Sequence, residues 1–233
     1  MTGVLVTLGA RDRLTADGTD CVATRAGVTR DAVVRVEGLA ERALSKGDAG
    51  LAGLFGGESE VVVGCSRPRA VRALLSFAGV LFNDARITWM ALPFDREALK
   101  TEYGVPWYPV IDRARCSGCG TCAEYCLFSV YEHRAAEPPA ARVRVTSPLS
   151  CKTGCPACAR LCPEGAVIFP FCHEAELNGE VAQPEHRSAD TLAALLGDDP
   201  MRLLAERRKQ KRLIDPSKFD QAERDRILYS GVL

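Results

Sequence analysis

The sequence predicts an α+β chain in three parts: a small α/β domain over residues 1–95, a cysteine-rich module over 106–172 and a helical extension over 188–233. Three observations predict this. Short Val-rich runs alternate with helical stretches in the first part, the pattern of a parallel sheet covered by helices. Eight of the eleven cysteines fall in two runs in the second, each run flanked by short apolar segments, so the module reads as an internal duplication. The third part opens on a helix start signal at Ser188 and carries a basic cluster, Arg207–Arg212.

The elements follow in order. Residues 3–8 form a continuous apolar run closed by Gly9 and read as a buried strand. Residues 11–32 are polar and turn-rich and read as a loop, with a short strand near Cys21. From Asp31 to Leu44, apolar residues at Val33, Val34, Val36, Leu39, Ala40 and Leu44 fit a helix, against the breaker Gly38. Five glycines in residues 47–58 read as a loop. Val61–Val63, the turn Gly64-Cys65-Ser66 and an amphipathic stretch over 69–77 make a strand–loop–helix unit, and Arg86–Leu92 is the next strand. Residues 93–108 read as a linker, punctuated by Pro93, Gly104 and Pro106, with a short helix.

In the cysteine-rich module, Val110–Asp112 precedes the first run and Ser129–Glu132 follows it; Arg142–Thr146 precedes the second and Ala166–Phe169 follows it. Each half is therefore strand, cysteine loop, short helix, strand. A second linker over 181–188 leads to helices expected over 188–197 and from Asp199 or Pro200 to Leu213, with another short helix or arm over 219–233. A basic cluster late in a helix suits the macrodipole and reads first as a solvated face, second as a docking patch for an acidic partner.

The first run is Cys116-Ser-Gly-Cys119-Gly-Thr-Cys122-Ala-Glu-Tyr-Cys126, with spacing C-x2-C-x2-C-x3-C; the second is Cys151-Lys-Thr-Gly-Cys155-Pro-Ala-Cys158-Ala-Arg-Leu-Cys162-Pro163, with spacing C-x3-C-x2-C-x3-C-P. Thiolates at this density select iron–sulfur clusters or zinc. A cubane cluster needs one soft thiolate on each of four irons, and three ligands close in sequence wrap one face of it through a tight loop. Gly118, Gly120 and Gly154 stand where such loops need permissive backbone and close approach of amides. Zinc is the first alternative, although zinc sites take two ligands from each of two runs and compact four-cysteine runs serve that poorly. Disulfides are the second, and the opening residues show no basic signal-type stretch that would send the thiols to an oxidising compartment.

Over about residues 106–172 the chain resembles the bacterial-type two-cluster ferredoxins. The resemblance implies an α+β ferredoxin-like dicluster fold and two [4Fe-4S] clusters with crossed ligands. Cluster I would use Cys116, Cys119, Cys122 and Cys162, and cluster II Cys151, Cys155, Cys158 and Cys126. The chain departs from the family in having Leu127 after Cys126 instead of proline, and one extra residue between Cys151 and Cys155. The crossed ligands imply that the halves pack face to face, with Tyr125, Phe128, Tyr131, Phe169 and Phe171 excluding water. The stretch Val61-Val-Val-Gly-Cys65-Ser-Arg-Pro-Arg69 resembles a segment near the start of heterodisulfide reductase A-type subunits, without the glycine fingerprint that binds flavin there.

The expected function is that of an iron–sulfur electron-transfer protein passing low-potential electrons to or from a dedicated redox partner. Thirty basic residues balance thirty acidic ones, whereas free ferredoxins are usually acidic, which favours a subunit of an oxidoreductase complex over a diffusing carrier. Four thiolates per cluster leave no open iron, so a catalytic role at the clusters is not expected. One alternative is a redox-enzyme subunit whose first domain binds a ligand, with Cys65 as thiol or ligand in the loop after a parallel strand. The plain reading of Cys65 is a small buried residue, as it is for Cys21 and Cys172. The other alternative is an interaction module stapled by clusters. No nucleotide loop, catalytic triad or metal-spaced pair among His133, His173 and His186 is present. Nucleic-acid binding is not expected without charge excess or interleaved aromatics. No apolar run reaches spanning length, and a reducing cytoplasm is the expected location.

Overall fold

Val-rich runs bounded by glycine and polar turns form a parallel sheet. In the computed structural model, which describes residues 1–9, 12–15, 17–100 and 106–181, the strands are β1 (Thr2–Val6), β2 (Val34–Val36), β3 (Val61–Cys65) and β4 (Ile87–Ala91), in the order β2-β1-β3-β4. All pairs are parallel, with Val4 opposite Val34 and Val63, and Val63 opposite Trp89. The helical extension expected over 188–233, basic cluster included, lies outside the described residues.

Successive side chains of a strand point to opposite faces, and both faces here are covered. Val4, Val6, Val61, Val63 and Cys65 enter one core with helices α2 (Leu39–Leu44), α3 (Ala49–Phe55) and α4 (Pro68–Phe77). Leu5 and Val62 enter another beneath α1 (Thr19–Ala26). Burial on both sides is why β3 reads as an uninterrupted apolar run. Gly64 sits where α1 comes closest, since a Cβ there would stand 2.4 Å from Val22 Cγ2.

Three segments differ from expectation. Residues 19–26 are helix α1 instead of loop: Thr19, Val22, Ala23 and Ala26 share a buried face, but their side chains are small and give weak periodicity without the sheet they pack on. Residues 31–44 are not one helix. The open edge of β1 captures Val34–Val36 as a strand, and Gly38, at φ 64°, ends the strand and starts α2. The glycine-rich stretch after Gly47 contains α3, held by the Asp48 side chain, which accepts from the Leu51 amide at 3.1 Å, and by the buried Leu51 and Phe55.

The cysteine-rich module is built from two short antiparallel pairs that join its halves. Strand β5 (Val110–Ile111) pairs with β8 (Val167–Ile168), and β6 (Tyr131–His133) pairs with β7 (Val143–Val145). Each half thus contributes one strand to each pair. Helices α5 (Thr121–Tyr125), α6 (Pro139–Arg142) and α7 (Ala157–Leu161) complete it.

The expected linker is a packed seam at its C-terminal end. Tyr108, Val110, Ile168 and Phe171 lie in the same buried core as Val4, Val63 and Leu74, and Met1–Glu185 makes one compact unit. Tyr108 donates its hydroxyl to the Ala40 carbonyl at 2.5 Å and packs on Phe77 with ring centroids 5.4 Å apart. Arg67, in the loop after β3, ties the seam from below. It is wholly buried, pairs with Asp12 Oδ1 at 2.9 Å and donates to the Pro170 carbonyl just past β8. Asp12 in turn accepts from the Leu8 amide at 2.8 Å through its other oxygen. Strand ends after β1 and β3 are where such sheets hold ligands; here the buried Arg67–Asp12 pair follows β3 and Phe171 stands against Gly9, its ring tip 2.8 Å from where a Cβ would be, while an open pocket lined by Thr7, Asp12, Asp17 and Arg35 remains beside β1.

Candidate metal centres

The first cysteine run leaves β5 through a turn in which the Cys116 amide donates to the Asp112 carbonyl at 3.0 Å. Asp112 is anchored twice: its amide donates to the Ala166 carbonyl at 2.8 Å, and its carboxylate accepts from Arg69 of α4 at 2.7 Å. Arg69 also donates to the Gly165 carbonyl, so the sheet domain grips both ends of this site. The chain then reverses at Gly118 and Gly120, at φ 73° and 83°, in the left-handed region that costs other residues strain. Space is as limited as angle, because a Cβ on Gly118 would stand 2.2 Å from the Pro139 carbonyl oxygen. Gly118→Ala is therefore expected to disturb the loop that carries Cys116 and Cys119. Metal content after anaerobic purification checks this, and an unchanged content would show that the loop tolerates the shift.

Cys116, Cys119, Cys122 and Cys162 line one small pocket, walled by apolar side chains that include Ile111 and Val167. Burial pushes the Cys122 thiol up to about 12, with further upward pressure from Cys162, Cys158, Cys116 and Cys119. Burial also raises Cys116; the Gly118 amide and Arg113 oppose it, and Cys162 and Cys119 add to it. The Cys162 sulfur accepts from the Ala166 amide at 3.3 Å. Burial thus opposes ionisation of Cys116 and Cys122 unless something cationic shares the site. Metal ligation releases those protons and supplies the compensating interaction.

The second run gathers differently. The Cys151 thiol is pushed up to about 12 by burial, then by Cys158, Cys155 and Cys126. Cys158 rises to about 11, where burial outweighs the Tyr131 hydroxyl that donates to its sulfur at 3.0 Å, with Cys126 and Cys155 adding to the rise. The extra residue between Cys151 and Cys155 is absorbed in a turn, with Gly154 at φ 76° and the Cys155 amide donating to the Lys152 carbonyl at 3.1 Å. Among the described residues, no three or more His, Cys, Asp or Glu side chains stand close enough to hold a single metal ion. A tetrahedral zinc asks four donors to converge within about 2.3 Å of one point, whereas a cluster spreads its thiolates over four irons.

The other residues singled out by sequence fall elsewhere. Cys65 is fully buried in the sheet core and its thiol is raised far above the usual range, first by burial. A reactive thiol needs access and a lowered pKa, and Cys65 has neither. Cys21 is exposed on α1, and Cys172 is buried beside Phe169, outside both cysteine groups. Of the aromatic shell, Tyr131 and Phe169 are buried in the core of the cysteine-rich module, Tyr125 is half-buried and Phe128 is exposed. Phe171 packs instead into the sheet core.

Sequence reasoning missed two cations. Arg69 braces the first site from α4, and Arg113 lies beside Cys116 and Cys122, donating to the Val143 carbonyl at 2.6 Å. Arg113 stands three residues before Cys116, a signal that was readable; nothing local links Arg69 to the site. In comparisons with known proteins, no family model, no curated protein and no solved structure matches the chain. No helix among the described residues is long and apolar enough to cross a membrane.

Proposed function

We propose that this chain binds two [4Fe-4S] clusters and serves as an electron-transfer subunit, passing low-potential electrons to or from a dedicated redox protein in a reducing cytoplasm. One observation carries the reading: the first three thiols of each run have the fourth thiol of the other run beside them, with Cys158 also near Cys122. Cys116, Cys119 and Cys122 share a pocket with Cys162, and Cys151, Cys155 and Cys158 crowd one another with Cys126 beside them. That division is the one the ferredoxin resemblance implies.

The donor set fits the group. All eight side chains are soft thiols, left-handed glycines open the loops, and half-buried apolar walls exclude water. Cys116, Cys119, Cys122 and Cys162 would hold one cluster; Cys151, Cys155, Cys158 and Cys126 would hold the other. When bound, each cluster supplies one-electron chemistry whose potential depends on burial and on hydrogen bonds to sulfur. The chain orients the thiolates, places Arg113 against their negative charge and braces the first loop through Arg69. The balanced net charge suits one dedicated partner better than many.

Anaerobic purification with iron and sulfide analysis, followed by EPR of the reduced protein, tests this. About eight irons and eight sulfides per chain, with the spectrum of two interacting reduced clusters, are expected. Zinc in place of iron, with no EPR signal, would overturn it.

A further inference from the structure

The two halves of the duplication are not equivalent at one position. Val167 opens β8 five residues after Cys162, and Tyr131 opens β6 five residues after Cys126. Val167 presents an aliphatic wall to the first site. Tyr131 presents a hydroxyl to the second, donating to Cys158 Sγ at 3.0 Å from a side chain that is 9% exposed. Sequence pattern alone assigns Tyr131 to a water-excluding shell; its hydroxyl is aimed at a sulfur.

We propose that Tyr131 sets the reduction potential of the second site: its hydroxyl donates to the thiolate sulfur of Cys158 and favours the reduced form. This rests on the reading that Cys158 ligates a cluster. Reduction adds one electron from the donor protein or the titrant, and with it one unit of negative charge that the ligating sulfurs share. A donor pointed at one of those sulfurs interacts more strongly after the charge arrives than before it. The buried surroundings, poor in competing water, enlarge the difference. No proton moves in the step. Tyr131 acts through Cys158 and is a positioning residue.

The test is an EPR-monitored potentiometric titration of the anaerobically purified full chain. Tyr131→Phe is expected to keep about eight irons while one of two midpoints moves negative. The expected size is about a tenfold shift of that one-electron equilibrium, about 59 mV. Tyr108→Phe is the control. It removes another buried hydroxyl bond, to the Ala40 carbonyl, outside both thiol groups and is expected to move neither midpoint. Incorporating 3-fluorotyrosine at position 131, a stronger donor of nearly the same shape, is expected to move the affected midpoint positive.

Full iron with both midpoints unmoved in Tyr131→Phe overturns the inference and leaves the two-cluster reading standing. Equal shifts in Tyr131→Phe and Tyr108→Phe overturn it too, since they would report general loosening. If Tyr131→Phe fails to hold iron, the fluorinated protein decides alone, and an unmoved midpoint there is fatal. A wild-type chain without iron removes the two-cluster reading and this inference together.

Discussion

Cys162→Ser is expected to cut iron from about eight atoms per chain to about four or fewer. Cys162 caps the C-terminal end of α7, in the second run, yet it lines the pocket of the first run's cysteines. It is 7% exposed and its sulfur accepts from the Ala166 amide at 3.3 Å. Serine offers a hard oxygen that stays protonated where iron wants a soft thiolate. The damage need not stop at one site, because Cys158 lies on the same short helix and faces the second group. Cys172→Ser makes the comparison informative. Cys172 is as buried as Cys162 but belongs to neither group, so its variant is expected to keep full iron. Iron and sulfide analysis of the two variants side by side decides the matter. Full iron in Cys162→Ser would mean that the crossed grouping is wrong.

The largest stability effect is expected at Arg67. Its guanidinium is wholly buried against an equally buried Asp12, donates to the Pro170 carbonyl and lies 4.9 Å from the centroid of the Phe94 ring. Removing one partner of such a pair leaves the other charged and dry, which costs about 3–5 kcal/mol. Arg67→Ala adds an orphaned Pro170 carbonyl at the seam between the sheet and the cysteine-rich module. At about 2–4 °C per kcal/mol for a domain of this size, Tm falls by roughly 10 °C. Removing both charges, in Asp12→Leu with Arg67→Met, is expected to recover part of the loss, since a buried pair replaced by apolar groups is often neutral. Calorimetry under anaerobic conditions reads both variants. A single variant as stable as the parent would show that the pair does not hold the seam.

Arg67 also shows where sequence reasoning stops. It is visible as the residue before a helix-starting proline, and its role depends on Asp12 and Pro170, 55 and 103 residues away in sequence. Cys65, two positions earlier, was expected in the loop where α/β folds place ligands and is instead the last residue of β3. Phe171 packs against Gly9 just after β1, and the Cys65 thiol lies in the core. Helix α1 was hidden for a related reason. Its buried residues are small, and their common face has meaning only against the sheet. By contrast, β3 and α4 were legible. A strand buried on both faces has no alternation to conceal it, and α4 announces itself with Pro68 at its first turn and a strong apolar stripe.

By itself the sequence determined the thiol-bearing loops, their glycine hinges and the alternation of the first domain, because spacing, backbone permissiveness and continuous burial are local properties. Tertiary structure alone decided that the seam around Tyr108 joins the sheet to the cysteine-rich module in one unit, and that Tyr131 points its hydroxyl at Cys158. These depend on the approach of segments far apart in the chain. Side-chain direction there is set by packing against a partner surface that no local pattern encodes.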